Sequence, residues 1–390
     1  AILIVMEAIL NELGVSNKVT KCLSAQQALT HVTDDINFYD IVFTDLNMPE
    51  MDGMEFIRKL GELNFTGAVV IISEMDHKVI NLAANLARHS NIHLVANLAK
   101  PVQLSQVKTV LQKAKHLAVH NDLSHASISE KALHEAINLN EIIPYYQPKI
   151  NSQTSEIESI EVLARIVKTH TGEIISPNRF ISLSEQSGLI NQITFSLFEQ
   201  ATSDLKAIRT NIAAHLKLAF NLSPTQLDDL SCPNKLMLIL QLNGLSPSDI
   251  ILEITEQHAL SSLSQLETLN RLRMHGFGIS LDDFGVGFTN MNQIKRLPFT
   301  EIKIDRTLIS NIETDQFSQV VVSSLVDIAS QEQLALVAEG VERAEESLYL
   351  KNYRTNLAMQ GFLFTCPKAK DDFIEWALNW VNTTGGTIKR

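Results

Sequence analysis

Alternation between short apolar runs and helix-patterned segments is the feature that most restricts the fold of this chain. Eight such runs follow residue 141, at positions 142–147, 158–165, 216–223, 250–255, 278–283, 301–305, 334–339 and 358–364. Eight strands separated by helices are typical of a (β/α)8 barrel, whose chemistry takes place at the face where the strands end. The pattern therefore predicts a TIM-type barrel, and a length of 390 residues leaves room for a second domain before it.

Nearly every one of these runs carries a polar residue near its end. The residues are Gln147, Glu161, Asn221, Glu253, Asp282, Lys303, Glu339 and Gln360. Gathering several carboxylates on one face is unfavourable unless a cation is bound there. Oxygen ligands without Cys or His at these positions favour Mg²⁺ or Mn²⁺ over zinc.

Asp282 and Asp283 stand next to each other near the end of one run, and Gly285 and Gly287 follow them at once. Adjacent side chains of a strand point to opposite faces, so the pair could hold one divalent cation from two sides or serve two cations. The glycines allow a tight turn beside such a site. A solvated turn explains the same residues, and the pair by itself leaves both interpretations open.

Three further apolar runs occupy the first hundred residues, and each ends on a residue able to take part in chemistry: Asp45, Ser73 and Lys100. Helix-patterned segments lie between the runs, which predicts a doubly wound parallel sheet with its site at the carboxyl ends of the strands. Each residue alone could be a polar group in a surface turn, but three of them at successive strand ends indicate a site.

The run of residues 45–53, together with the Lys100-Pro101 pair, resembles the phosphoacceptor loop and the lysine of a response-regulator receiver domain. The resemblance implies a flavodoxin-like fold in which a sensor histidine kinase phosphorylates Asp45. It also implies that Ser73 is the switch hydroxyl and that Lys100 pairs with the phosphoryl group.

One feature of the receiver pattern is missing. The family places an acidic pair for Mg²⁺ just after its first strand, which we assign to residues 2–5, and no such pair follows them. Either the receiver is degenerate or a loop is missing from the given chain after this strand. We expect a missing loop, in which case the receiver binds Mg²⁺ through the absent pair, and Glu7 is not a ligand.

Residues 129–385 are similar throughout to the EAL domain, the bacterial cyclic di-GMP phosphodiesterase. The matching fragments lie at residues 146–148, 161–165, 220–223, 253–256, 282–287, 303–306, 338–342 and 360–362. The resemblance implies a modified barrel whose first strand runs antiparallel to the others. We expect a receiver domain at 1–115, a linker at 116–128 and the EAL domain at 129–385. Ser127 and Glu130 have capping-box spacing, which predicts a helix start at the front of this domain.

The EAL resemblance also implies roles for individual residues. Glu161, Asn221, Glu253 and Asp282 would ligate a first metal, and Asp282 would bridge to a second metal that Asp283 and Glu339 also hold. Lys303 would contact the attacking water or the phosphate; alternatively, it is an inward ion-pair partner that neutralises the carboxylates. The expected catalytic residues are Lys303, Glu339 and Glu161.

Further residues would serve the substrate and a loop. The expected substrate-binding residues are Gln147, Leu163, Arg165, Asp305 and Gln360, with Arg165 suited to a phosphate because its planar fork matches the oxygens. Glu256 would anchor the loop of residues 284–290 rather than ligate a metal.

Composition and charge restrict the partners and the location that we expect for this protein. A formal charge of −12 argues against a surface that coats nucleic acid. The three cysteines lack CxxC spacing, and no apolar run reaches the about 18–20 residues of a membrane span, so we expect a cytoplasmic protein. Receiver and EAL domains both commonly pair with themselves, which makes a homo-oligomer the expected state.

The sequence as a whole favours a response regulator that cleaves cyclic di-GMP to linear pGpG under control of Asp45. The alternative is a catalytically silent EAL module that binds cyclic di-GMP or a protein partner. A kinase-like role for the Asp-Phe-Gly at residues 283–285 is excluded, because neither a Gly-rich loop nor a His-Arg-Asp loop accompanies it.

Overall fold

The computed structural model separates the chain into two compact units, residues 1–126 and 127–390. It describes residues 2–15, 19–34, 38–63, 65, 67–73, 92–111, 114, 128–255, 262–285, 291–353, 355 and 357–384. Most of the expected linker at 116–128 lies outside the described residues, so the expected domain boundaries stay predictions.

The first unit contains a parallel sheet of three strands in the order β1-β2-β3. The strands are β1 (Ile41–Asp45), β2 (Ala68–Ser73) and β3 (His93–Ala99). Every residue of the central strand β2 is buried, as expected when helices cover both faces of a parallel sheet. Helices are described at Ile2–Glu12, Ala25–Asp34, Gly53–Glu62 and residues 104–111. The expected doubly wound α/β class is confirmed for this unit.

The assignment of residues 2–5 to a first strand is wrong. They form the beginning of the helix Ile2–Glu12, which buries Met6 and Leu10, one turn apart on the same face. The helix continues without a break past residue 5, and the expected missing loop stays a prediction. No strand followed by an acidic pair is formed within residues 2–15.

The second unit is a closed barrel of eight strands. Its sheet has the order β4-β12-β11-β10-β9-β8-β7-β5-β6, and an additional pairing of β4 with β5 closes the ring and leaves β6 outside. The strands are β4 (Ile142–Asn151), β5 (Ile157–Val167), β6 (Ile174–Ile175), β7 (Lys217–Asn221), β8 (Ile250–Thr255), β9 (Gly278–Phe284), β10 (Glu301–Ile304), β11 (Ala335–Ala338) and β12 (Leu357–Met359). Strand β4 is antiparallel to both neighbours, whereas the other barrel pairings are parallel. The modified TIM-type barrel is therefore confirmed.

Helices surround this barrel. They span Glu130–Asn138, Ile181–Gln186, Ile190–Asn211, Cys232–Asn243, Leu263–His275, Met291–Arg296, Arg306–Ile309, Gln316–Glu332, Ala344–Leu350 and Lys370–Thr384. The longest, Ile190–Asn211, buries residues such as Ile193, Leu197 and Leu205 at helical spacing and packs against β4. Among the described helices, none combines the length and apolar character needed to cross a membrane.

The helix that precedes the barrel begins after Ser129, later in the chain than the capping-box spacing predicts. Its N-cap is Ser129, whose hydroxyl accepts a hydrogen bond from the backbone N–H of Ala132. The predicted cap, Ser127, lies outside the described residues, and the assignment of the cap to it is wrong. Ser129 serves better because it immediately precedes the first helical residue, Glu130.

Candidate active site

The carboxyl ends of the parallel strands bring the predicted polar residues into one cluster. The pairing registers place Glu161 of β5 beside Ala219 of β7, and Asn221 beside Glu253 of β8. Glu339 and Gln360 each follow directly after a strand, β11 and β12. Glu161, Glu253, Asp282, Lys303 and Gln360 are buried, Glu339 is half-buried and Asn221 is exposed.

Lys303 on β10 forms the centre of this cluster. Its side chain is 1% exposed and lies among four carboxylates. From its Nζ, the distances are 2.7 Å to Glu339 Oε1, 3.0 Å to Asp282 Oδ1, 3.0 Å to Glu253 Oε2 and 3.7 Å to Glu161 Oε2. Burial lowers the pKa of Lys303, but the carboxylates outweigh it and hold the pKa well above its usual value. Both the ion-pair role and the phosphate-contacting role expected for Lys303 are compatible with this position.

Two carboxamides donate hydrogen bonds to Glu161, and a third, that of Gln147, contacts one of them. Asn221 Nδ2 donates to Glu161 Oε1 at 2.8 Å, and Gln360 Nε2 donates to Glu161 Oε2 at 2.5 Å. Gln360 Nε2 also lies 3.0 Å from Gln147 Oε1, and Gln147 in turn donates to the carbonyl of Thr365. These contacts fix the orientation of the Glu161 carboxylate.

Asp283 departs from the geometry expected of an extended strand. Its φ is +58°, and its backbone N–H donates to Asp282 Oδ1 at 2.9 Å. Ligand atoms of Asp282, Asp283 and Glu339 all lie within 4.8 Å of one another. The expectation that the two aspartates point to opposite faces is therefore wrong, because the left-handed backbone at Asp283 turns its side chain towards the same cluster.

The acidic groups differ in how readily they ionise. Burial, followed by the charge of Glu253, raises the pKa of Glu161 to about 7. Burial and the neighbouring charges of Asp282 and Asp305 raise the pKa of Asp283 to about 6. Burial also acts to raise the pKa of Glu253, but Lys149 and Lys303 outweigh it and lower the value to about 2.

The donor set fits divalent cations that prefer oxygen ligands. Glu161, Glu253, Asp282, Asp283 and Glu339 supply carboxylates, and the ammonium of Lys303 lies at their centre. Carboxylate and amide oxygens, without thiolate or imidazole, suit Mg²⁺ or Mn²⁺. Burial and the negative charges in this cluster raise the pKa values of Glu161 and Asp283, and bound cations would favour the ionised forms of both.

Sequence reasoning missed two buried charges below this cluster, Lys149 and Glu301. The side chain of Lys149 is 0% exposed and bridges Glu253 to Glu301. Both could have been found from the sequence, because residues two positions apart on a strand lie on the same face of the sheet. Lys149 lies two residues after Gln147 on β4, and Glu301 lies two residues before Lys303 on β10, so each shares the face of a predicted site residue.

A cavity of about 480 Å³ lies beside the carboxylates. Glu161, Leu163, Asn221 and Glu253 contribute to its wall, which is otherwise largely apolar. That volume falls within the range of small-molecule sites. Leu163 lines this cavity, and its contact with a substrate stays a prediction.

Arg165 and Asp305 lie at the margin of the site. Arg165 shares a face of β5 with Glu161, and its guanidinium lies 5.6 Å from the ring centroid of Tyr145 and donates to the carbonyl of Ala164. Asp305 caps the helix Arg306–Ile309 and accepts from the N–H of Thr307. Its charge also raises the pKa of Asp283. Glu256 and residues 286–290 of the expected loop lie outside the described residues, so the anchor role stays a prediction.

The first unit brings its own expected residues to one sheet edge. Lys100 Nζ lies 2.6 Å from Asp45 Oδ2, and the backbone N–H of Asn47 donates to Asp45 Oδ1 at 3.0 Å. Ser73 ends the neighbouring strand β2 and is buried. Asp45 is 19% exposed, so its carboxylate is accessible while held by a lysine.

Comparison with protein families extends these observations. The family model of the EAL domain matches residues 130–367. The chain belongs to the EAL domain family. The model of the response regulator receiver domain matches residues 1–112, so a receiver domain precedes the EAL domain in this chain.

Proteins similar to the receiver–EAL chain include RocR and PdeG. Cyclic di-GMP phosphodiesterase RocR of Pseudomonas aeruginosa is 29% identical over 349 residues, which cover 88% of this chain and 88% of RocR. Probable cyclic di-GMP phosphodiesterase PdeG of Escherichia coli is 33% identical over 252 residues, 64% of this chain and 49% of PdeG. Similarity to RocR thus spans both domains, whereas PdeG is similar over about half its own length.

Solved structures similar to the EAL domain include ligand complexes. The phosphodiesterase PaMucR in complex with c-di-GMP has a TM-score of 0.58 and 32% identity, and covers 62% of this chain and 98% of its own. The EAL enzyme Bd1971 in its cAMP-bound form has a TM-score of 0.60 and 27% identity, and covers 71% of this chain and 76% of its own.

Proposed function

We propose that the EAL domain of this chain hydrolyses cyclic di-GMP to linear pGpG and that phosphorylation of Asp45 in the receiver controls the rate. The observation that carries the proposal is the carboxylate cluster around Lys303 at the carboxyl face of the barrel. The names of the cyclic di-GMP phosphodiesterase RocR and the probable cyclic di-GMP phosphodiesterase PdeG support the same substrate.

We assign two divalent cations, Mg²⁺ or Mn²⁺, to the cluster. Glu161, Asn221, Glu253 and Asp282 would hold the first, and Asp282, Asp283 and Glu339 would hold the second. When bound, such a pair supplies Lewis-acid activation for in-line displacement at a phosphodiester. The proximity of the Asp282, Asp283 and Glu339 ligand atoms supports the second site.

The protein side chains would then perform three tasks. Lys303 places a permanent positive charge beside the carboxylates, where it would offset the negative charge that develops on the phosphate. Arg165 would bind a substrate phosphate through its planar guanidinium. The apolar cavity beside Leu163 would accommodate one base of the dinucleotide, and Gln147 and Gln360 would orient Glu161.

Control by the receiver rests on the Asp45–Lys100 pair. Phosphorylation adds about −1.5 to −2 charge at Asp45, which would recruit Lys100 and Ser73 to the phosphoryl oxygens and shift a two-state surface. A sensor histidine kinase would be the phosphoryl donor, a receiver Mg²⁺ would assist if an acidic pair exists, and a cytoplasmic homo-oligomer would be the working form.

Product analysis tests the catalytic proposal. The full chain is incubated with cyclic di-GMP and Mg²⁺ or Mn²⁺, and the products are separated by chromatography; we expect conversion to pGpG. Tight binding of cyclic di-GMP without pGpG, unchanged by Mn²⁺, would instead establish the silent binding module.

A further inference from the structure

A buried ion-pair layer lies beneath the carboxylate cluster in the barrel interior. Lys149 Nζ lies 2.7 Å from Glu253 Oε1 and 2.7 Å from Glu301 Oε1, and Lys149 is fully buried. Because β4 runs antiparallel, Lys149 pairs with Ser159, two residues before Glu161 on β5. Lys149 therefore enters the interior one layer below the cluster.

The two oxygens of Glu253 have different partners. Oε1 accepts from Lys149 at 2.7 Å, and Oε2 accepts from Lys303 at 3.0 Å. Lys303 in turn contacts Asp282 and Glu339, so Oε2 is the oxygen on the side of the cluster. The contact with Lys149 thus occupies Oε1 of Glu253 and orients Oε2 towards the carboxylate cluster.

We propose that Lys149 is a positioning residue, which fixes Glu253 so that only Oε2 is presented to a bound cation, with Glu301 as its counter-ion. The proposal rests on the metal-dependent function proposed above. Glu301 balances the charge of Lys149, so Lys149 orients Glu253 without reducing the negative charge available to cations.

A purely structural role for the Lys149–Glu301 pair makes a different prediction. Replacing both members of a buried ion pair by uncharged residues of similar volume is often neutral or stabilising, whereas removing one member leaves an unpaired buried charge. A structural pair can therefore be replaced as a unit, but a residue that orients a metal ligand cannot.

The test compares Lys149→Met with the double variant Lys149→Met/Glu301→Gln in the full chain. Thermal unfolding of the metal-free protein, Mn²⁺ affinity by calorimetry, and turnover of cyclic di-GMP as a function of Mn²⁺ concentration are measured. We expect the second substitution to recover thermal stability. Mn²⁺ affinity should nevertheless stay about 10–100-fold below that of the parent, as for other groups that orient metal ligands.

A matched control lies at the opposite end of the β4–β5 ladder. Lys168 Nζ is 3.0 Å from Glu141 Oε2, and the Glu141 side chain is 2% exposed. Lys168→Met/Glu141→Gln replaces the same residue types just beyond the ends of β4 and β5. This variant should leave Mn²⁺ affinity unchanged.

The outcomes separate this inference from the proposed function. A double variant that folds and binds Mn²⁺ as the parent does overturns the positioning role, even if the parent hydrolyses cyclic di-GMP. A parent that neither binds Mn²⁺ nor forms pGpG overturns the proposed function itself. If Lys149→Met alone does not fold, the double variant still decides, because it removes one positive and one negative charge and leaves the net buried charge unchanged.

Discussion

Substitution of Lys303 by methionine separates the two roles that the site allows for this residue. Lys303 is 1% exposed and lies within 3.0 Å of Glu253, Asp282 and Glu339. Removing one partner of a buried ion pair costs about 3–5 kcal/mol, because the remaining charges are left unpaired. For a unit of this size, 1 kcal/mol corresponds to about 2–4 °C in Tm.

We therefore expect Lys303→Met to lower the Tm of the metal-free protein by about 6–20 °C. Saturating Mn²⁺ should narrow this difference, since bound cations replace the lost positive charge. Thermal unfolding in the presence of a chelator, and then of Mn²⁺, measures both effects. Lys217→Met is the control, because Lys217 is exposed at the start of β7.

Turnover at saturating Mn²⁺ decides the role of Lys303 in the reaction. If its ammonium stabilises the developing charge on the phosphate, kcat should fall by about 100–1,000-fold, as when one stabilising donor is removed. A kcat equal to that of the parent, together with the loss of metal-free stability, would refute the catalytic role and leave Lys303 as a counter-ion alone.

The remaining predictions concern the receiver, proton competition and the turn after the aspartates. Asp45→Asn should abolish acetyl phosphate-dependent labelling, measured by intact mass, and any labelling of the variant would contradict the assignment of Asp45. Mn²⁺ affinity should rise from pH 5.5 to pH 8, because protons must leave Glu161, with a pKa of about 7, and Asp283, with a pKa of about 6; a flat calorimetric profile would contradict this. Gly285→Ala should destabilise the fold by about 1–3 kcal/mol in denaturant unfolding, because φ is +112° and an added Cβ would lie 2.5 Å from Leu308 Cδ1; unchanged stability would show that the turn relaxes.

The barrel was predictable because the apolar runs that mark its strands alternate regularly with helix-patterned segments. Each of the eight predicted runs overlaps one strand of the barrel, and β8 has the predicted bounds, Ile250–Thr255. The ends of the strands were less predictable, since they depend on how far each strand pairs with its neighbours in the sheet. Strand β4 was predicted to end at residue 147 but continues to Asn151, because its antiparallel pairing with β5 extends to Ile150 and Ile157. Strand β12 ends at Met359, before Gly361, rather than at residue 364.

The first residues show where a short apolar run misleads. Ile2 to Val5 are all apolar, and a run of that length does not distinguish a strand from a helix. The decisive signal was the spacing of Met6 and Leu10, which together with Ile2 repeats every four residues and forms a helical face.

The site was predictable as a set of residues but not as a charge network. Motif resemblance located Lys303 and its carboxylate neighbours, yet it could not reveal that Lys303 contacts four of them at once. Lys149 escaped notice because the matching fragment ends at residue 148, although its spacing from Gln147 on β4 places both side chains on one face. The left-handed conformation of Asp283, with φ of +58°, was likewise not expected from a residue within an apolar strand.

Turnover of cyclic di-GMP by the parent and by Glu161→Ala, measured side by side with Mn²⁺, tests the central claim most directly. Glu161 is buried in the cluster, and Asn221 and Gln360 hold its carboxylate. The account predicts pGpG from the parent and none from Glu161→Ala. Formation of pGpG by Glu161→Ala at the rate of the parent would contradict the assignment of this cluster as the catalytic metal site.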